Sequence, residues 1–139
     1  MTTQSNKQFI QRFIDEVINA RNLAAIDHFA PPDFVEQVPL PGQGPGREGL
    51  RYAIGMLLDA FPDLRWRTEQ QIAEGDTVVS RFSWSGTHRG AFLGVPATGR
   101  RVEVWGVVID VVRGGLLAES RIIMDTLGLM QQLGAIPPG

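Results

Sequence analysis

The sequence predicts an α+β domain in which N-terminal helices cover one face of an antiparallel sheet. Two observations carry this. Apolar residues recur about every 3.6 positions as far as Phe61 and every second position from Leu64 onward. The strand-like runs are joined by short turn sequences, Glu74-Gly75-Asp76 and Gly114-Gly115, which suit hairpins rather than crossovers. Helices first and strands after place the helices on one side of the sheet. At 139 residues the chain suits one domain, 1–139, and is short for two.

In the first helix Phe9, Ile10, Phe13, Ile14, Val17 and Ile18 form one apolar stripe, with Ser5 or Asn6 as candidate cap. Residues 19–22 read as a break, and residues 23–29 as a second, short helix ended by Pro31 and Pro32. Residues 34–38 suggest a short strand leading into the loop PLPGQGPGREG, which we expect to border a pocket mouth. A third helix spans residues 47–61, with Leu50, Ile54, Leu57, Leu58 and Phe61 at helical spacing and Pro62 as its stop. Three strands then follow the alternation of Leu64, Trp66 and Thr68, of residues 77–88, and of residues 100–112, where Trp105, Val107, Ile109 and Val111 share a face. The last strand and helix lie in residues 116–133, LLAESRIIMDTLGLMQQL.

Composition narrows the function classes. The net charge of −2 argues against a nucleic-acid partner, because phosphate binding needs a basic surface. The absence of cysteine rules out disulfides and thiolate metal sites. The N-terminus lacks the basic-then-apolar pattern of a signal peptide, and no apolar run approaches a membrane span, so a soluble cytoplasmic protein is expected. His28 reads as a helix-end residue, and with His88 so distant no metal-ligand spacing exists. The glycines at 86, 90, 94 and 99 precede no helix and so do not form a phosphate cradle.

Asp125 draws attention because Ile122, Ile123, Met124, Leu127 and Leu129 surround it in sequence. A carboxyl held in apolar surroundings rises in pKa toward the range useful to a general acid or base. The alternative is that Asp125 caps the helix beginning at Thr126. Arg121 shares its strand parity, which makes it either a charged partner in the site or a surface ion pair with Glu119 or Glu103. The parity conflicts with the apolar set Ile122 and Met124. Either the polar set lines the pocket or a bulge switches the faces.

Three segments carry a family resemblance. FSWSGTHRGAFLGVPATGRRVEVWGVVID resembles the GTHxGxFxGxPPTG signature of the SnoaL-like polyketide cyclases. VPLPGQGPGREGLRYAIGMLLDAFPDLR resembles their loop-helix passage, and MDTLGLMQQLGAIP is similar to their fD-x-LGLLQQLG ending. The resemblance implies an NTF2-like cone, a strongly curved antiparallel sheet with three N-terminal helices enclosing an apolar pocket, and a homodimer packed through the sheets. It also implies intramolecular aldol-type cyclisation without metal or cofactor, with Asp125 aligned to the family's acid/base aspartate. Gln37 stands where many members carry histidine, and Ser120-Arg121 stands where many carry His-Trp. The segment Asp110-Val111-Val112 also lacks a histidine that the cyclases use.

The expected site therefore has Asp125 and Arg121 as catalytic residues. Phe34, Gln37, Phe82, Trp84, His88 and Trp105 are expected around a small apolar or polycyclic ligand, although His88 also reads as a structural hydrogen bond fixing its loop. Three functions fit: a cofactor-free acid/base enzyme, a small-molecule binding module, or an interaction protein. Within the first, an epoxide hydrolase or isomerase using an Asp–Arg pair would need a second pocket carboxylate, for which Asp110 and Glu36 are the candidates.

Overall fold

The computed structural model describes residues 2–138. Helix α1 spans Thr3–Phe13 and continues as wider π-helical turns over Ile14–Asn19. Its cap is Thr2, one turn earlier than Ser5 or Asn6. Thr2 accepts from the Ser5 amide while Ser5 reaches back to the Thr2 amide, and Asn6 is buried. A 3₁₀ segment, Leu23–His28, follows, and the longest helix, α2, spans Gly46–Ala60. Strand β1, Val35–Glu36, has only two residues; β2 runs Arg65–Glu74, β3 Thr77–Thr87, β4 Arg101–Arg113 and β5 Leu116–Met124. Helix α3, Thr126–Gln132, closes the chain. The α+β class and the three N-terminal helical segments are as the periodicity predicts.

The sheet order is β1-β5-β4-β3-β2, with antiparallel pairings except for β1, which runs parallel to β5. Two register shifts interrupt the ladders, one in β2 between Thr68 and Gln70 and one between β4 and β5 at Val111/Val112. Bulges of this kind bend and twist a strand, so they curve the sheet around the helices. The sheet remains open, with β1 and β2 at its edges.

The β5 irregularity answers the parity question. Val111 pairs with Glu119 but Val112 with Leu117, so Ala118 is the extra residue. The concave face therefore takes Leu117 before the bulge and Ser120, Ile122 and Met124 after it. Arg121 and Ile123 are left on the exposed side.

On β4 the concave face carries Val102, Val104, Gly106, Val108, Asp110 and Val112, all buried. Gly106 makes room there: a Cβ would stand 2.5 Å from Phe82 Cζ, and Phe82 stacks on Trp66 with centroids 4.2 Å apart. The opposite set of β4 faces outward, with Trp105 55% exposed and Ile109 39%. The helices are tied to the sheet by Asn19, whose amide donates to Trp66 O (2.9 Å) and accepts from Trp66 N–H (2.8 Å). Arg21 donates to Pro62 O and Leu64 O. These bonds fix the start of β2, and with it Trp66, against the helical layer.

Candidate active site

Between the helices and the concave sheet face lies a cavity of about 110 Å³. Phe13, Ile14 and Ile18 of the first helical segment and Leu50, Ala53, Ile54 and Leu57 of α2 form its helical wall. Trp66, Val108, Leu117, Ile122 and Met124 form its sheet wall. Its polar lining comes from Glu36, Gln43, Asp110 and Ser120. The volume falls below the ~300–1,000 Å³ of sites that enclose drug-sized ligands. The cavity mouth lies beside the Pro/Gly-rich loop, since Glu36 and Gln43 also line a shallow groove formed by Phe34, Val35, Pro39 and residues 44–46.

Strand register places the three central polar groups. Ser120 pairs with Glu36 on β1 and with Asp110 on β4, so Glu36, Ser120 and Asp110 form one row across three strands. Side chains in such a row stand on the same face, with adjacent strands ~4.8 Å apart. Asp110 is 5% exposed, and burial pushes its carboxyl up from the ordinary 3.8 to about 7. The Ser120 hydroxyl opposes that rise, and the negative charge of Glu36 adds to it.

Burial also raises Glu36. This is countered by the Val38 and Ile122 amides, which donate to its Oε2 at 3.0 and 3.3 Å, and by the Ser120 hydroxyl. Arg121 contributes the smallest lowering effect on Glu36, from outside the cavity. The two carboxyls thus share a cavity but differ in support. Amide donors hold the Glu36 anion, whereas Asp110 lies deep in the apolar wall.

Of the residues expected from sequence, Glu36 and Asp110 line the cavity and Phe34 lines the adjoining groove, whereas Asp125, Arg121, Gln37, Phe82, Trp84, His88 and Trp105 line neither. Asp125 is the N-cap of α3: its Oδ1 accepts from Gly128 N–H at 2.9 Å, and the residue is absent from the cavity lining. Arg121 is exposed, and among the described residues it forms no ion pair with Asp125. The expected Asp125–Arg121 pairing inside one cavity is therefore corrected, for the Ala118 bulge turns Arg121 away. Phe82 and Trp84 are core residues behind the lining, the latter edge-on to Phe61 with its Nε1 3.3 Å from Met124 Sδ. Phe34 is buried and lines the mouth groove.

Gln37 is exposed and donates to Glu119 Oε1 at 3.1 Å. Trp105 stands on the outer sheet face. His88 is fully buried against Phe61, and its Nδ1 accepts from Thr98 N–H (3.1 Å) and lies 3.0 Å from Thr98 Oγ1. That is the loop-fixing arrangement the sequence offered as its alternative.

The cavity instead draws on Trp66, Gln43 and Ser120, with Glu36 and Asp110 as its acids. The signal for Asp110 was present: it is the one carboxylate in the alternating set Val102, Val104, Val108 and Val112. Among the described residues no cluster of metal-ligating side chains occurs, and no helix is long and apolar enough to cross a membrane.

The profile of the SnoaL-like polyketide cyclases matches residues 8–133. Among solved structures, TsrD from Streptomyces laurentii is 34% identical over 98% of this chain and 99% of its own, with a TM-score of 0.88. AclR from Streptomyces galilaeus, a proposed hydroxylase, is 25% identical over 99% of this chain and 86% of its own, at a TM-score of 0.86. IdmH from Streptomyces antibioticus, a proposed polyketide cyclase, is 30% identical over 93% of this chain and 98% of its own, at 0.79. No curated protein matches the chain by sequence.

Proposed function

We propose, for a chain that belongs to the SnoaL-like polyketide cyclase family, a cofactor-free acid/base enzyme that moves protons on a small apolar carbonyl compound, with Asp110 as the reacting carboxyl. The observation that carries this reading is the depth of Asp110 in an apolar cavity beside Glu36. A carboxyl raised to about 7 takes up and returns a proton near neutral pH with little penalty in either direction.

In the aldol-type reaction, Asp110 takes the proton from a carbon next to a carbonyl. The resulting enolate attacks a second carbonyl of the same molecule, forming the ring bond, and the new alkoxide recovers a proton from the cavity acids. Negative charge on oxygen needs donors during this sequence. Ser120 carries a hydroxyl beside both acids, and Gln43 brings an amide whose Oε1 already accepts from Leu40 N–H at 2.9 Å. The apolar wall favours keeping the carbanion away from water.

A hydrolytic reading has one observation in its favour, namely two carboxyls in one cavity. It loses the arginine that the Asp–Arg form required, since Arg121 faces outward. Labelled-water oxygen appearing in product would select hydrolysis; its absence with ring closure would select the aldol route. Steady-state turnover of Asp110→Asn and Asp125→Asn tests the assignment of the acid/base group. The reading requires the first variant to lose turnover and the second to keep it.

The outer sheet face supports a homodimer. Trp105, Ile109 and Ile123 are exposed there, the last at 63%, with Ile72 at the β2 edge.

A further inference from the structure

We propose that Ser120 is a proton relay, carrying the proton of Asp110 across to Glu36 and so to the cavity mouth, which lets Asp110 regain its ionised form while a ligand covers it. The inference rests on the reading of Asp110 as the reacting carboxyl. Its basis is the set of side chains around Asp110 on the concave face. Across the strands Asp110 pairs with Val78 on β3 and with Ser120 on β5. Along β4 its neighbours on the same face are Val108 and Val112. Of these four, Ser120 alone is polar. Ser80, diagonally across on β3, accepts from Gln71 and does not line the cavity. The helical wall over Asp110 contributes no titratable group among the described residues, and Arg121 acts on Glu36 from the outer side of β5.

Ser120 pairs with Glu36 as well, so its hydroxyl stands between the two carboxyls and lowers the pKa of each. A hydroxyl has one proton to donate and two lone pairs with which to accept. Glu36 is the better supported anion, since the Val38 and Ile122 amides donate to its Oε2. Burial keeps the proton on Asp110 up to about pH 7. The chain therefore runs from the Asp110 carboxyl to Ser120 Oγ, and from the Ser120 hydroxyl to Glu36. Transfer breaks the Asp110 O–H bond as Ser120 Oγ gains that proton, and breaks the Ser120 O–H bond as a Glu36 oxygen gains the other. No electron changes hands, and the negative charge moves from Glu36 to Asp110. Glu36 lines the mouth groove as well as the cavity, so solvent reclaims the proton there.

The test follows the carboxyl carbons of Asp110 and Glu36 by NMR through the Asp110 midpoint near pH 7, in ligand-free protein. Ser120→Thr keeps the hydroxyl and Ser120→Val has the same branched shape without it, so the pair separates the hydroxyl from packing. Wild type and Ser120→Thr are expected to show one averaged Asp110 signal at the midpoint, because the proton leaves quickly. Ser120→Val should show separate protonated and ionised signals, with the midpoints of both carboxyls moved up. A hydroxyl with a merely structural role would move the midpoints and leave the signal averaged. The relay is overturned by an averaged signal in Ser120→Val, by a split one in wild type or Ser120→Thr, or by midpoints that Ser120→Val leaves in place. Should Ser120→Val fail to fold, Ser120→Ala carries the same expectations. No substrate enters these measurements, so their failure removes the relay alone. Turnover surviving in Asp110→Asn removes the acid/base reading instead.

Discussion

Glu36 and Asp110 flank Ser120 in a single row across β1, β5 and β4, so two carboxyls and a hydroxyl meet on one concave face. The strand spacing sets their backbones ~10 Å apart with Ser120 midway. Different surroundings prepare the two acids for different work, since amides hold Glu36 while burial dominates at Asp110. Removing Asp110 should therefore cost chemistry more than structure. Asp110→Asn keeps the shape of the side chain and is expected to lower kcat by roughly 10²–10⁴-fold, the usual worth of a positioned acid or base. Glu36→Gln retains an acceptor for the Val38 and Ile122 amides and should reduce kcat less. Steady-state rates of both variants check the ordering.

The raised Asp110 pKa makes folding pH-dependent, with a sign opposite to that of a salt-bridged carboxylate. The folded protein holds this proton up to about pH 7, whereas the unfolded chain releases it near 3.8. Stability therefore falls as pH rises through that window and levels off above about 7. The rise corresponds to at most about 4 kcal/mol. Asp110→Asn removes the dependence, so its stability relative to wild type should improve between pH 4 and 7. Urea unfolding at a series of pH values measures the difference, and parallel curves for the two proteins would refute it.

Asp125 shows why much of the fold was legible in the sequence while the site was only partly so. Its neighbours in sequence are apolar, yet it sits at the start of α3 with Gly128 N–H on its carboxyl. Hydropathy near a strand end does not distinguish a buried acid from a cap. The element boundaries were readable because the change from period 3.6 to period 2 occurs sharply around Pro62. Strand facing was harder to read. In β4 both alternating sets are apolar, valines inward and Trp105, Val107, Ile109 and Val111 outward, so alternation alone orients neither. In β5 the extra residue Ala118 shifts parity midway, and nothing in LLAESR marks it. Asp110 and Glu36 were named as carboxylate candidates, but their meeting through Ser120 depends on register, which is a tertiary property.

The capping role gives a separate expectation. Asp125→Ala should destabilise the fold by about 1 kcal/mol, while Asp125→Asn should cost only a fraction of that, because asparagine caps nearly as well. Thermal unfolding of the two variants checks the contrast. Equal losses would mean that the carboxyl charge, rather than its acceptor oxygen, is what the position needs.

The outer sheet face yields a prediction about assembly. Trp105 and Ile123 expose large apolar surfaces on neighbouring strands, with Val107, the cross-strand partner of Ile123, between them on that face. If two copies cover this face, Trp105→Glu or Ile123→Glu would place a charge in a desolvated contact and shift the protein to monomer. Sedimentation velocity is the measurement, and wild type sedimenting as a monomer throughout the micromolar range would remove the dimer reading.

Gly106 ties the sheet to the aromatic layer behind the cavity. On the concave face of β4, a Cβ at this position would collide with the Ile123 carbonyl oxygen, stand 2.5 Å from Phe82 Cζ and lie 3.0 Å from Met124 Cα. Two of those three neighbours are backbone, so side-chain rotation does not relieve the clash. Gly106→Ala should therefore push β5 away from β4 and displace Phe82 from its stack on Trp66. We expect a loss of about 1–3 kcal/mol from the overpacking. Because Trp66, Ile122 and Met124 all line the cavity, ligand affinity should fall with it. A denaturation midpoint unchanged from wild type would show that the strands part at no cost, contrary to the close packing described.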